Sequence, residues 1–110
     1  MTEQLSGDRP QITQDQHDAG GSYTIAVAGA AHPAVLTWHA RGEADAPVRL
    51  VDHTFVPIEA RGQGLAAKLV EAIVADARTQ GFRIAAMCPY VVTAFGKHPE
   101  WADIRAPLPR

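Results

Sequence analysis

The chain has 110 residues, which allows one hydrophobic core and not two. Apolar residues make up 46% and charged residues 20%, so a disordered composition is excluded, and the formal net charge of −2 excludes a general pull towards nucleic acid or an anionic membrane. Cys88 is the single cysteine, which rules out an intrachain disulfide and a four-cysteine zinc site and fits a reducing, cytoplasmic setting.

Residues 1–20, "MTEQLSGDRPQITQDQHDAG", are polar and without sustained period, with Glu3, Asp8, Asp15 and Asp18 against Arg9 alone. They are expected to form a flexible tail ahead of a single domain over residues 21–110. Their opening lacks a basic segment followed by an apolar run, so no secretory signal is expected. No apolar run approaches the roughly 18–20 residues of a membrane span.

"GSYTIAVAGA" alternates Tyr23, Ile25 and Val27 on one side, a strand pattern. "GAAHP" supplies turn chemistry, and "AVLTWHA" from Ala34 to Ala40 reads as the antiparallel partner. "RGEADAP" is expected as a loop before a third strand, "VRLVDHTFV", from Val48 to Val56. A helix follows the glycine turn at Gly62 and Gly64. Its apolar stripe is Leu65, Leu69, Ala72 and Ile73, and Lys68, Glu71 and Arg78 lie opposite. Gly81 suits its C-terminal cap. "FRIAAM" from Phe82 reads as a short strand. "CPYVVTAFGK" reads as a second helix with Cys88 as its cap and Pro89 at the first helical position, where a missing N–H does no harm. The order predicts an α/β or α+β domain of minimal size. Its mixed, mostly antiparallel sheet would contain one β-α-β crossover between parallel strands.

The glycine turn is the feature that carries chemistry. A helix start exposes unpaired N–H groups and the positive end of the helix dipole, and glycines let an anion approach the main chain. One reading is a tight strand-to-helix turn that binds nothing; the other is a phosphate cradle. A P-loop requires G-x-x-x-x-G-K-[ST], and "RGQGLAAK" lacks that ending. Gly62, Gly64 and Ala67 satisfy the dinucleotide pattern G-x-G-x-x-G/A. That fold also wants an acidic residue after the next strand, and no Asp or Glu lies between Asp76 and Glu100.

"RGQGLA", Arg61 to Ala66, satisfies R-x-x-G-x-A with Arg61, Gly64 and Ala66 in the defining places. "HTFVP" at His53–Pro57 precedes it, and "CPYV" at Cys88–Val91 and "KHPEW" at Lys97–Trp101 follow. Together these resemble the small single-domain branch of the GNAT acyltransferase superfamily, whose usual form is H-T-E-V-P, R-G-Q-G, P-x-C and H-P-E-Y. The resemblance runs from about residue 22 to about residue 104. Phe55 departs from it by replacing an acidic residue able to orient an amine, and Ala86 stands where proline is usual.

The resemblance implies a minimal GNAT fold and an acetyl-CoA-dependent N-acetyltransferase. The coenzyme A pyrophosphate would meet the N–H groups of Gly62, Gln63, Gly64, Leu65 and Ala66, with Arg61 and Lys68 as charge support. Thr54, Phe55 and Val56 would offer the backbone edge for pantetheine. A lysine-like amine, of pKa about 10.4, must lose a proton before it attacks. The resemblance places His53 beside the cleft as candidate base; the plainer reading is a packing histidine. Cys88 would lie near the acetyl thioester, to carry the acetyl group or to orient it, or else simply fill space as a buried cysteine. Many larger members carry a tyrosine acid in the last helix, and that place falls at Phe95, which cannot donate; the role of Tyr90 stays open. His98, Glu100 and Trp101 are expected to pack the chain end.

His17, His32 and His39 show no metal-ligand spacing, so no metal site is expected. A non-catalytic coenzyme A-binding sensor or accessory module is the alternative function, and a nucleotide-binding interaction domain a third. The acceptor, a protein amine or a polyamine, is not legible, nor is the oligomeric state.

Overall fold

Alternation of side chains builds the sheet. The computed structural model describes residues 12–108. Within it Gly20–Ile25 (β2), Ala34–Glu43 (β3) and Ala46–Phe55 (β4) are strands joined as antiparallel neighbours. Successive residues of a strand point to opposite faces, so Tyr23, Ile25, Leu36, Trp38 and Val51 form one buried apolar face. Leu65–Gln80 (α1) covers that face, lying across β2 and β3. Of the expected stripe, Leu65, Leu69 and Ile73 are buried and Ala72 is half-buried; Val70, Val74 and Ala77 join them. Lys68, Glu71 and Arg78 are exposed, as the pattern requires. Gly81 closes α1 in the left-handed conformation, its N–H on Ala77 O.

The chain then returns as Arg83–Ala86 (β5), parallel to β4, with Val48↔Arg83 to Val51↔Ala86 in register. This is the expected β-α-β crossover. Pro89–Lys97 (α2) follows with Cys88 as its N-cap, and Arg105–Ala106 (β6) adds a short parallel strand beside β5. A small second core of Leu50, Ala85 and Ala106 lies on the face of the sheet away from α1. The α+β class with a mixed, mostly antiparallel sheet is thus the observed one, and among the described residues the six strands stand in sequence order.

Three expectations need correction. Residues 12–20 are not tail: Ile12–His17 forms strand β1, paired with β2 from Ile12↔Ile25 to His17↔Gly20. Residues 1–11 of the expected tail lie outside the described residues. β1 was hidden because an edge strand is held by main-chain hydrogen bonds; five of its side chains are exposed and carry no apolar period. The segment 41–47 is a hairpin and not an open loop, since β3 runs to Glu43 and β4 starts at Ala46, with Gly42↔Pro47 in register. The first expected strand is shorter than its pattern, ending at Ile25.

The chain end is locked by aromatic contact. The indole of Trp101 meets Phe95 edge-on at 5.4 Å between centroids and His98 face-on at 4.0 Å. Arg78 of α1 reaches Asp103 at 2.8 Å and the carbonyl of Glu100 at 3.0 Å. The packing role expected for "HPEW" is what these contacts provide.

Candidate functional site

The strand ladder opens at one place. β4 and β5 pair only as far as Val51↔Ala86, and the N–H groups of Met87 and Cys88 then both converge on Val51 O, at 2.9 and 3.1 Å. On its other side β4 stays paired with β3 as far as Phe55↔Val35. Residues 52–55 therefore present one main-chain edge that β5 does not cover. The widening is helped by a bulge: Thr37 stands opposite His53, whereas Trp38 stands opposite Val51, which leaves Asp52 as the extra residue.

The glycine turn closes the same end of the molecule. A short 3-10 turn, Ile58–Ala60, leads into Gly62 and Gly64, at φ of +88° and +74°. A side chain at either position would meet no atom within 4 Å, so space is not what glycine provides there. It provides the left-handed backbone, which turns successive N–H groups outward. The first intrahelical bond of α1 is Lys68 N–H to Gly64 O, at 3.2 Å. The amides of Leu65, Ala66 and Ala67 precede it and lack helical partners. Among the described residues, no backbone bond engages the amides of Gly62 and Gly64 either. Gln63 differs: its N–H donates inward to Ala60 O at 3.3 Å, which takes one of the five expected donors out of the cradle as it stands.

A groove of about 280 Å³ runs along these amides, flanked by Val56 and Tyr90. The guanidinium of Arg61 bends back, its Nε donating to Val56 O at 3.4 Å, so it borders the groove from the strand side. Lys68 is exposed one turn into α1. Phe55, Met87 and Tyr90 are large apolar side chains left exposed around this end of the sheet. Free amides at a helix start, with an apolar approach, fit a phosphorylated ligand with an uncharged arm. A larger hollow of about 570 Å³, around Arg49, Trp38 and Phe82 at the other end of β4, contains none of these residues.

Cys88 lies where the two strands part. It is buried, and its Sγ is 3.0 Å from Thr54 Oγ1. Burial by itself pushes the thiol up. The Thr54 hydroxyl and the amides of Val91, Tyr90 and Thr54 outweigh that, holding the thiol below its ordinary value.

A family model described as GCN5-related N-acetyl-transferase matches residues 22–104. The chain belongs to that family. Among solved structures it is similar to a GCN5-like putative N-acetyltransferase from Staphylococcus aureus, with 25% identity and a TM-score of 0.62 over 89% of this chain and 91% of that one. An integron cassette protein from V. cholerae shares the fold at 19% identity, TM-score 0.55, over 86% of this chain and 59% of that one. So does the ribosomal-protein-alanine N-acetyltransferase of Brucella melitensis biovar Abortus 2308, at 18% identity and TM-score 0.53, over 86% and 67%. None of the curated proteins matches the sequence. Membership of the GCN5-related family makes acyl transfer the general chemistry of this fold.

Within this member of the GCN5-related family, the two candidate catalytic residues, His53 and Cys88, stand on opposite sides of the sheet. Thr54 pairs with Leu36 and shares its α1 side of the sheet, where it meets Cys88; His53 pairs with Thr37 and points to the other side. His53 is exposed, and among the described residues no hydrogen bond engages its ring. Sequence reasoning missed two neighbours. Asp52 accepts hydrogen bonds from Thr37 Oγ1 at 2.7 Å and from the His39 ring, Nε2 to Oδ2, at 3.0 Å. The hydroxyl of Thr54 was considered only for its backbone. No local signal marks either contact, because both arise from strand pairing and the bulge. Among the described residues, no group of three His, Cys, Asp or Glu could hold a metal ion, and no helix is long and apolar enough to cross a membrane.

Proposed function

We propose that this protein is an acetyl-CoA-dependent N-acetyltransferase acting on an amine, a protein amine or a polyamine, in a reducing, cytoplasmic setting where Cys88 stays a thiol. The observation that carries the reading is the coincidence of two features. The uncovered edge of β4 at residues 52–55 ends beside a left-handed glycine turn with unpaired amides. The amides of Gly62, Gly64, Leu65 and Ala66 would hold a pyrophosphate, with Arg61 and Lys68 nearby; Gln63 would join only by releasing Ala60. Thr54, Phe55 and Val56 would pair with the amides of the pantetheine arm. Acetyl-CoA supplies an activated acyl carbon on a good leaving group.

The acceptor nitrogen must arrive deprotonated at the gap between β4 and β5. His53, on the open side of the sheet, is the candidate to take its proton, directly or through water. Cys88, on the other side of β4, would orient the acyl group or accept it briefly. Attack by the sulfur on the acyl carbon would release the coenzyme thiol, and attack by the amine on that acyl-cysteine would restore the cysteine. A coenzyme A-binding module without turnover is the second reading, favoured by the separation of His53 from Cys88 across β4.

Calorimetric titration with acetyl-CoA is expected to give saturable binding that Gly64→Glu abolishes, since a carboxylate there meets the phosphates head-on. Release of free thiol with an amine panel then separates the readings: sustained release marks the enzyme, binding without release the module. In the enzyme, His53→Ala is expected to lower kcat by about 10² or more with acetyl-CoA affinity kept.

A further inference from the structure

Thr54 was expected to matter through its main chain, yet its side-chain hydroxyl hydrogen-bonds with the sulfur of the single cysteine. Its hydroxyl carries one hydrogen that can rotate towards a chosen acceptor. Cys88 Sγ is buried, is at the start of α2, and makes no hydrogen bond of regular capping geometry to that helix. We propose that the Thr54 side chain is the positioning residue for Cys88: Oγ1, 3.0 Å from Sγ, donates a hydrogen bond that holds the sulfur, as an acceptor, at the parting of β4 and β5. The inference rests on the acyltransferase reading only for its use; the contact itself is a property of the protein alone.

The alternative direction, S–H donating to Oγ1, would favour the neutral thiol and work against nucleophilic use. The two directions differ in the sign of their effect on ionisation, which makes them separable. The influences that favour the thiolate most are all dipoles: the Thr54 hydroxyl and the amides of Val91, Tyr90 and Thr54. The titratable side chains on the elements around the sulfur are Arg49, Asp52 and His53 of β4, Arg61 of the glycine turn, Lys68, Glu71, Asp76 and Arg78 of α1, Arg83 of β5, and Tyr90 and Lys97 of α2. Asp52 is committed to Thr37 and His39 on the far side of the sheet, and Arg61 to Val56 O. Replacing the Thr54 hydroxyl by a methyl therefore removes a dipole and leaves the charges in place.

Because Cys88 is the only cysteine, alkylation by iodoacetamide in the absence of coenzyme A reports on it alone. Thr54→Val, which keeps the shape and the backbone, is expected to lower the alkylation rate at neutral pH about fivefold, as loss of one hydrogen bond implies. Its rate–pH profile should move to higher pH and reach the wild-type plateau. Thr54→Ser is expected to keep the wild-type profile. A Thr54→Val profile that overlays the wild type, or moves to lower pH, overturns the proposal; so does a Thr54→Ser profile displaced as far as that of Thr54→Val. Should Thr54→Val not fold, Thr54→Ala is compared with Thr54→Ser in the same assay: a profile moved to higher pH for Thr54→Ala alone supports the bond, and coincident profiles overturn it. Failure of the wild type to bind acetyl-CoA would instead sink the acyltransferase reading, and this titration would still stand or fall by itself.

Discussion

Asp52 shows how one extra residue in a strand creates chemistry. Val51 faces α1, so alternation already turns the Asp52 carboxylate to Thr37 and His39 on the open face; the bulge leaves His53, the next residue, on that same face. Partial burial pushes that carboxyl up, but the hydrogen bonds from Thr37 and His39 more than offset this, so it sits below the usual carboxylate value. The sign for stability follows. The folded protein gives up this proton at lower pH than the unfolded chain does, so the stabilisation is present above the unfolded value of about 3.9. It is lost as pH falls through the lower folded value. Asp52→Asn is expected to flatten the acid limb of the stability curve. Urea midpoints of wild type and variant should converge as pH is lowered below about 4; a constant gap down to the acid limit would contradict the assignment. His53, one residue on, was legible as a candidate from its type, but the face it points to was not, because the bulge resets the alternation.

Among the elements, α1 is the piece that positions the site, since its first turn is the proposed phosphate cradle and its apolar face fixes where that turn sits. Leu69 is wholly buried beneath it, one turn from the glycines. Leu69→Ala is expected to lower unfolding free energy by about 2–5 kcal/mol, the range for large-to-small core changes. The contacts of Arg78 with Asp103 and Glu100, by contrast, are exposed, and solvent screens exposed pairs of this kind so that they add little to stability. Chemical denaturation of both single variants, Leu69→Ala and Arg78→Ala, should therefore rank them clearly, and equal effects would show that α1 is held by its far end. Most of α1 was readable beforehand, because its period, its glycine turn and its terminal Gly81 are all local. β1 was not: nothing in its side chains distinguishes a paired edge from a free segment.

Across the whole molecule, one buried cation ties the layers together. The guanidinium of Arg49 in β4 lies between the rings of Trp38 and Phe82, at 3.9 and 4.0 Å, and donates to the Tyr23 phenol at 2.8 Å. That phenol in turn donates to Asp76 of α1 at 2.6 Å, so a buried positive charge reaches its carboxylate through a hydroxyl. Burial first, and then the bond to Asp76, keep the phenol protonated far above its usual range. Tyr23→Phe would leave a buried N–H and a carboxylate oxygen unpaired and is expected to cost about 1–3 kcal/mol; an unchanged urea midpoint would mean that water replaces the hydroxyl. Features with a local cause were readable along the chain: the glycine turn, the long amphipathic helix, the Cys88–Pro89 cap and hence the family resemblance. Which groups meet depends on the folded arrangement. The Arg49 relay, the bulge at Asp52, the inward Gln63 amide and the Thr54–Cys88 contact depend on strand register or main-chain path, which no single segment encodes.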